Sequence, residues 1–275
     1  MRSFFRILKE QISSFYLIRR LSFYELKSQN NNHYLGILWE IINPLIQIAV
    51  YFFVFGLGIR NGAKVEGGVP FFSWLIAGIS VWFFINQAIL QGSKSIYTRI
   101  RMVSKMSFPM SVIPTYVIFS KFYSHLMLLV VIIIILYFNG FPIAISIIQL
   151  PYYMFATLIL ILAISLITST LSTIVRDVQM VVQSIMRIML YLTPILWNLS
   201  ESDFIKEHYV IRLIMKLNPF NYIVEGYRSA LLGHPSWFFI QHLKYTGYFW
   251  LIVLILFMIG SAIHVKFRDR FVDFL

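Results

Sequence analysis

Residues 122–175 read "FYSHLMLLVVIIIILYFNGFPIAISIIQLPYYMFATLILILAISLITSTLSTIV", 54 consecutive positions without an Asp, Glu, Lys or Arg. A helix needs about 20 apolar residues to cross the hydrocarbon core of a bilayer. The stretch therefore holds two crossings, with "NGFP" at 139–142 as the turn between them. Composition agrees: 59% of the 275 residues are hydrophobic, 12% are charged, and the mean hydropathy is +0.77. A soluble domain has about 45–50% apolar and about 25% charged residues. The chain is an integral membrane protein.

Outward from this stretch, six spans are expected at about 37–58, 71–91, 111–138, 152–175, 179–197 and 247–265. Charge or turn chemistry separates them: "GLGIRNGAKVEGG", a basic segment at 93–109, "NGFP", "RD" and a 49-residue loop at 198–246. An even number of spans puts both termini on one side. If that side is cytoplasmic, the inner segments carry 14 Lys and Arg and the outer ones 7, of which five sit in the long last loop. Long loops count for little in the positive-inside rule, so both termini are expected inside. The fold expected is all-α, a single transmembrane domain over 1–275: an interfacial segment at 1–36, five spans within 37–197, an external loop at 198–246, and a sixth span with a tail at 247–275.

The net charge of +12 is that of a membrane protein with basic inner loops. No basic face is large enough to track a phosphate backbone, which excludes nucleic acid. There is no cysteine, hence no disulfide and no thiolate metal site. Charges interrupt the first 21 residues throughout, so no cleavable signal is expected. Instead Phe4, Leu8, Ile12, Phe15 and Tyr16 recur at helical spacing opposite Arg2, Arg6, Lys9 and Arg20, the pattern of a helix lying among headgroups. A second amphipathic stretch, "NPFNYIVEGYRSALLG", lies in the last loop, opened by Pro219 and ended by Gly233. The basic segment "SKSIYTRIRMVSKMSFP" is a third: Ile96, Ile100 and Val103 share one helical face, and Lys94, Thr98, Arg101 and Lys105 the other. Two readings of it stand, a loop resting on anionic lipid and a docking helix for a cytoplasmic partner.

The chain has no G-x-x-x-x-G-K-[ST] phosphate loop. Its six histidines make no metal-ligand spacing, and no paired carboxylates occur at membrane depth. This polypeptide is expected to move something rather than transform it, with no catalytic, metal or cofactor site of its own.

Four pieces in order, "YLGILWEIINPLIQIAVYFFVFG", "MSFP", "VRDV" and "LNPFNYIVEGYRSALLG", resemble the ABC-2 type permeases that export lipid-linked polysaccharides, and within them the teichoic acid translocation permeases. The resemblance covers nearly the whole chain. It implies a subunit of a bacterial cytoplasmic membrane exporter that forms a homodimer and pairs with two copies of a separate ATPase, which binds ATP and Mg. It also implies that the segment between spans two and three is the coupling helix, with Lys94, Tyr97, Arg101 and Lys105 meeting the ATPase, and that the helices of the last loop are re-entrant. The cargo implied is a lipid-linked polyanionic wall polymer, wall teichoic acid. O-antigen or capsular polysaccharide is the alternative within the family, and a membrane-embedded transferase of lipid-linked sugars or an ion-coupled carrier the alternatives outside it.

A path for such a cargo needs polar groups inside spans, where they are costly and face an interior. Glu40, Asn43, Gln47 and Tyr51 form a narrow stripe in span one, continued by Phe55; Gln183, Arg187 and Tyr191 recur at steps of four in span five. Ser73, Ser80 and Gln87 are spaced by seven in span two. Spans one, two and five are thus expected inside, with three and six toward lipid. The translocation path is assigned to Glu40, Gln47, Tyr51, Phe55, Gln183, Arg187 and Tyr191. Such stripes also glue helices together. Arg187 has two readings, contact with substrate phosphate or a buried pair with Glu40. Lys121 reads as a lysine snorkelling beside a packed His125, or with it as a headgroup site. Ser165, Ser169 and Ser172 read as close-packing positions.

Overall fold

The computed structural model describes residues 2–31, 34–65, 67–103, 109–198, 207–233, 237–268 and 271. Among these there is no strand. Two helices, α1 (Arg2–Ser13) and α2 (Phe15–Asn30), precede the first apolar helix. That helix, α3 (Trp39–Tyr51), is entered through a 3₁₀ turn at Gly36–Leu38 and continues as a π-helical segment, Phe52–Ile59. Then come α4 (Phe71–Val103), α5 (Val112–Phe138), α6 (Leu150–Ile174) and α7 (Val178–Leu192). Three short helices follow: α8 (Tyr209–Leu217), α9 (Pro219–Leu231) and α10 (Phe238–Gln241), before the last long one, α11 (Leu243–Phe267).

Among the described residues, five helices are long and apolar enough to cross a membrane: Gly36–Ile59, Phe71–Arg99, Val112–Phe138, Ile145–Ile174 and Leu243–Phe267. The span expected at 179–197 is shorter than read. Its helix has 15 residues, about 22 Å at 1.5 Å per residue, against a core of about 30 Å. The cause is Pro194, which follows an extended Thr193 and cannot continue the helix. The span expected at 71–91 is longer than read. No proline interrupts "QGSKSIYTRIRMV" and its Gly92 is tolerated, so α4 runs 33 residues without a stop, about 50 Å. Its last turns stand well beyond a hydrocarbon core, and the basic segment begins as their continuation rather than as a separate helix.

The helices alternate in direction. At one end of the bundle, Arg268 after α11 pairs with Glu10 of α1 at 2.8 Å, Glu25 of α2 pairs with Arg99 near the end of α4, and Lys121 of α5 reaches Glu40 at the start of α3. Thr170 near the end of α6 meets His264 near the end of α11 at 3.0 Å. Thus α3, α5 and α7 leave this end, and α4, α6 and α11 return to it. Helix α1 and the residues that follow α11 both lie here.

Helix α4 is the axis of the core, almost wholly buried against α5, α6, α7 and α9. It comes close to α6 where a Cβ on Gly92 would lie 2.5 Å from the Ser165 hydroxyl. Ser165, Ser169 and Ser172 are fully buried, and their hydroxyls find no partner among the described residues; their small size, not their polarity, is used there. Helix α11 packs on α6 and turns Leu251, Leu254, Ile255, Met258 and Ile259 outward, and the far half of α5 exposes Val130, Ile134, Tyr137 and Phe138. Both faces are open in the single chain, as lipid-facing surfaces must be. Helix α3 is not enclosed within the single chain: most of it is exposed, because only Pro44, Ile48 and Gly56 are buried along α3 and its π-helical continuation.

Candidate functional site

Helix α9 is held at its N-terminus by Asn218, whose side chain accepts from the Phe220 N–H at 3.0 Å and donates to Thr193 Oγ1 at 2.8 Å. The amphipathic stripe read in the sequence predicts one buried face. In fact eleven of its 13 residues are buried, the polar Asn221, Arg228 and Ser229 among them. Arg228 explains how. Its guanidinium lies 3.4 Å from the centre of the Trp74 ring and donates to the carbonyls of Pro194 at 2.8 Å and Ile195 at 3.1 Å, and to Glu225 at 2.7 Å. Gly78 leaves the room, since a Cβ there would lie 2.7 Å from Nε. Burial disfavours the charge of Arg228 and the Glu225 carboxylate offsets that. The knot ties the start of α4, the corner after α7 and α9 into one unit. Sequence reading counted Arg228 only as a loop cation; its signal was Glu225 one helical turn before it.

The residues assigned to the path fall into two groups. On α3 and its continuation, Gln47 is exposed and Glu40, Tyr51 and Phe55 are half-buried, the last two with ring centres 6.5 Å apart. On α7, Gln183 is half-buried and Arg187 and Tyr191 are exposed. Tyr51 and Tyr191 are close enough to interact electrostatically, so the two stripes meet on one side of the chain. That side is open rather than interior. Gln179, one turn below Gln183, points the other way and bonds Ser93 and the Leu90 carbonyl of α4. It anchors α7 while the other three polar residues stay available.

The pairing of Arg187 with Glu40 is not made. Glu40 Oε1 accepts from Lys121 Nζ at 3.2 Å and from Asn30 Nδ2 at 3.3 Å. Glu40 sits at the foot of α3, whereas Arg187 lies almost three turns along α7 and makes no ion pair with a described residue. Lys121 does not snorkel either: it is 7% exposed and held by Glu40. His125 is packed, stacked on Phe84 and bonded to the Tyr227 hydroxyl at 3.1 Å, so the two do not form a headgroup site.

At the other assigned site, Lys94 and Tyr97 are half-buried, Thr98 is exposed and Ile96 is fully buried, in line with the two faces read there. The side chain of Arg101 and all of Lys105 lie outside the described residues. The structure adds partners that the sequence did not show. Glu25 of α2 binds Arg99 before the basic segment ends. After it, the Ser111 hydroxyl donates to Glu10 of α1 at 2.5 Å, and the Ser111 carbonyl accepts from Gln11 at 2.9 Å. The basic segment is therefore tied on both sides to the N-terminal helices. Glu10 and Glu25 looked like scattered acids in the sequence because the partners that tie them to other helices, Ser111, Arg268 and Arg99, lie 74 or more positions away.

A model of the ABC-2 type transporter family matches residues 16–232. The chain belongs to the ABC-2 type transporter family. The match spans α2 through α9, so the buried Arg228 knot, both polar stripes and the basic segment lie within it. Among curated relatives, an O-antigen export system permease protein RfbA of Klebsiella pneumoniae is 28% identical over 91% of this ABC-2 chain and 92% of its own. A second from the same organism is 29% identical over the same shares. The protein of that name from Myxococcus xanthus is 24% identical over 76% of this chain and 78% of its own. This ABC-2 chain is thus similar to polysaccharide export permeases, a membrane component of a transporter.

Proposed function

We propose that this chain is the membrane subunit of an ATP-driven exporter of a lipid-linked polysaccharide, working as a homodimer with two copies of a separate ATPase. The observation that carries the reading is the open face on which the α3 and α7 stripes meet. Gln47, Arg187 and Tyr191 face outward there at membrane depth, and polar groups are not left toward lipid. A second copy closing over that face turns it into a passage with weak, repeated polar and aromatic contacts, as a long polymer needs. In this reading α7 is a short fifth crossing and α8–α10 are re-entrant from outside, and the basic balance of the short loops supports a cytoplasmic position for the end containing both terminal segments. There the projecting end of α4 carries Lys94 and Tyr97 toward the ATPase, and Arg101 and Lys105 of the same basic segment are assigned to that contact.

Two cargoes fit this path. Exposed Arg187 favours an anionic polymer such as wall teichoic acid, and the named relatives favour O-antigen. The chain is to be depleted in its own cell and the polymers inside the membrane identified. Accumulation of one lipid-linked polymer names the cargo. Purification in mild detergent should bring an ATPase at equal stoichiometry, lost in Arg101→Glu/Lys105→Glu. A chain that always comes alone would end the exporter reading.

A further inference from the structure

At the foot of α3, below Gln47 and Tyr51, lies a cavity of about 520 Å³. Asn30 of α2, Trp39, Glu40 and Asn43 of α3, Gln87 of α4 and Lys121 of α5 wall it. Four helices thus converge on one polar hollow of a size that holds small ligands, about 300–1,000 Å³. Most ligand pockets of that size are largely apolar; this one is walled mainly by amides and charges.

Its chemistry is selective. Lys121 and Glu40, 3.2 Å apart, neutralise each other, so no bare cation faces the cavity. The side chains of Asn43 and Gln87 make no hydrogen bond with other described residues, and each offers a carbonyl acceptor and an amide donor. Glu40 keeps one oxygen and Lys121 two N–H donors beyond their mutual bond. Pro44 has no N–H for the Glu40 carbonyl, which adds a backbone acceptor at the rim. Donors and acceptors thus both line the wall beside the half-buried Trp39 ring. A phosphate only accepts and would face Glu40 and the amide oxygens unmatched. Hydroxyl groups both give and take, and match the set.

We propose that this cavity binds one uncharged, hydroxyl-rich sugar unit, presented at the foot of the α3 stripe. That the sugar belongs to an exported polymer rests on the exporter reading; the binding chemistry does not. The purified full chain in nanodiscs is to be tested by saturation-transfer NMR with glucose, N-acetylglucosamine and glucuronate. Both neutral sugars should receive saturation, glucuronate less. The signal should fall at least about fivefold in Asn43→Ala/Gln87→Ala and in Trp39→Phe, and persist in Lys216→Ala, an exposed position on α8. Asn43 is exposed, so Asn43→Ala alone keeps the fold while removing one donor–acceptor pair. No transfer from neutral sugars, an equal signal in all variants, or stronger transfer to glucuronate overturns the proposal. A chain that binds neutral sugar through these residues but recruits no ATPase keeps the cavity and removes the exporter. Normal export by variants, with no sugar bound by any form, removes the cavity and keeps the exporter.

Discussion

Arg228 is the side chain on which most depends. Its guanidinium satisfies the Pro194 and Ile195 carbonyls at a corner where α7 has already ended. Orphaned buried acceptors cost about 1–3 kcal/mol each, so Arg228→Met should lose about 2–4 kcal/mol. That would show as a lower thermal midpoint for the purified protein, with Glu225→Gln much milder because it keeps an acceptor and is partly exposed. Gly78→Ala should approach the Arg228→Met loss, since its Cβ would take the space of the guanidinium; a wild-type midpoint for Gly78→Ala would show that the knot is not under compression. Lys121→Met poses the complementary question. It leaves the Glu40 carboxylate, only 11% exposed, with Asn30 alone, and removing one partner of a buried pair costs about 3–5 kcal/mol. Adding Glu40→Gln should recover most of that loss, and a double variant no better than Lys121→Met would deny that the charge is the cause. Neither role was readable in the sequence. Arg228 counts there as one more loop cation, and Lys121 as a snorkelling one, because only packing decides which cations a membrane protein buries.

Among the elements, what the sequence shows well is wherever apolar length alone decides. The helices α4, α5, α6 and α11 lie where the runs predicted them, and the serines of α6 pack as small residues. What it shows poorly is where a run stops. Nothing in residues 91–103 marks the exit of α4 from a bilayer, and Pro194 shortens α7 inside an apolar stretch. The stripes on α3 and α7 lie on exposed faces of the single chain, whereas the sequence reading puts them inside the transporter. A stripe reports that a face is not for lipid and does not say whether the same chain covers it. The ties between the basic segment and the N-terminal helices were hidden for a different reason: ion pairs between distant elements have no sequence period. Glu25 and Arg99 are 17–18% exposed and link α2 to the projecting end of α4. If α2 moves with that end, Glu25→Arg should impair polymer export several-fold while the ATPase still co-purifies, and Glu25→Arg/Arg99→Glu should restore it. Export unaffected by Glu25→Arg would mean that α4 moves without α2.

For the whole molecule, the contrast between its two exposed apolar surfaces decides how it assembles. Helix α11 presents Leu251, Leu254, Ile255, Met258 and Ile259, for which lipid tails are as good a solvent as protein, so no partner is required. The α3 and α7 face mixes Ile46, Val50 and Ile188 with Asn43, Gln47 and Arg187, and a polar group left against hydrocarbon costs several kcal/mol. In the proposed homodimer, a second copy and the wet passage between the two would relieve that cost on both chains at once, as a two-fold interface does. The chain has no cysteine, so a single introduced thiol reports its own surroundings. Ile188→Cys, next to Arg187, about one turn before Tyr191 and 61% exposed in the single chain, should give a crosslinked dimer with a short bis-maleimide in native membranes. Leu254→Cys, 48% exposed on α11, should stay monomeric under the same treatment. The reverse pattern would put the partner on α11, and the polar face would then have to be covered by something other than a second copy, which the passage between two copies does not allow.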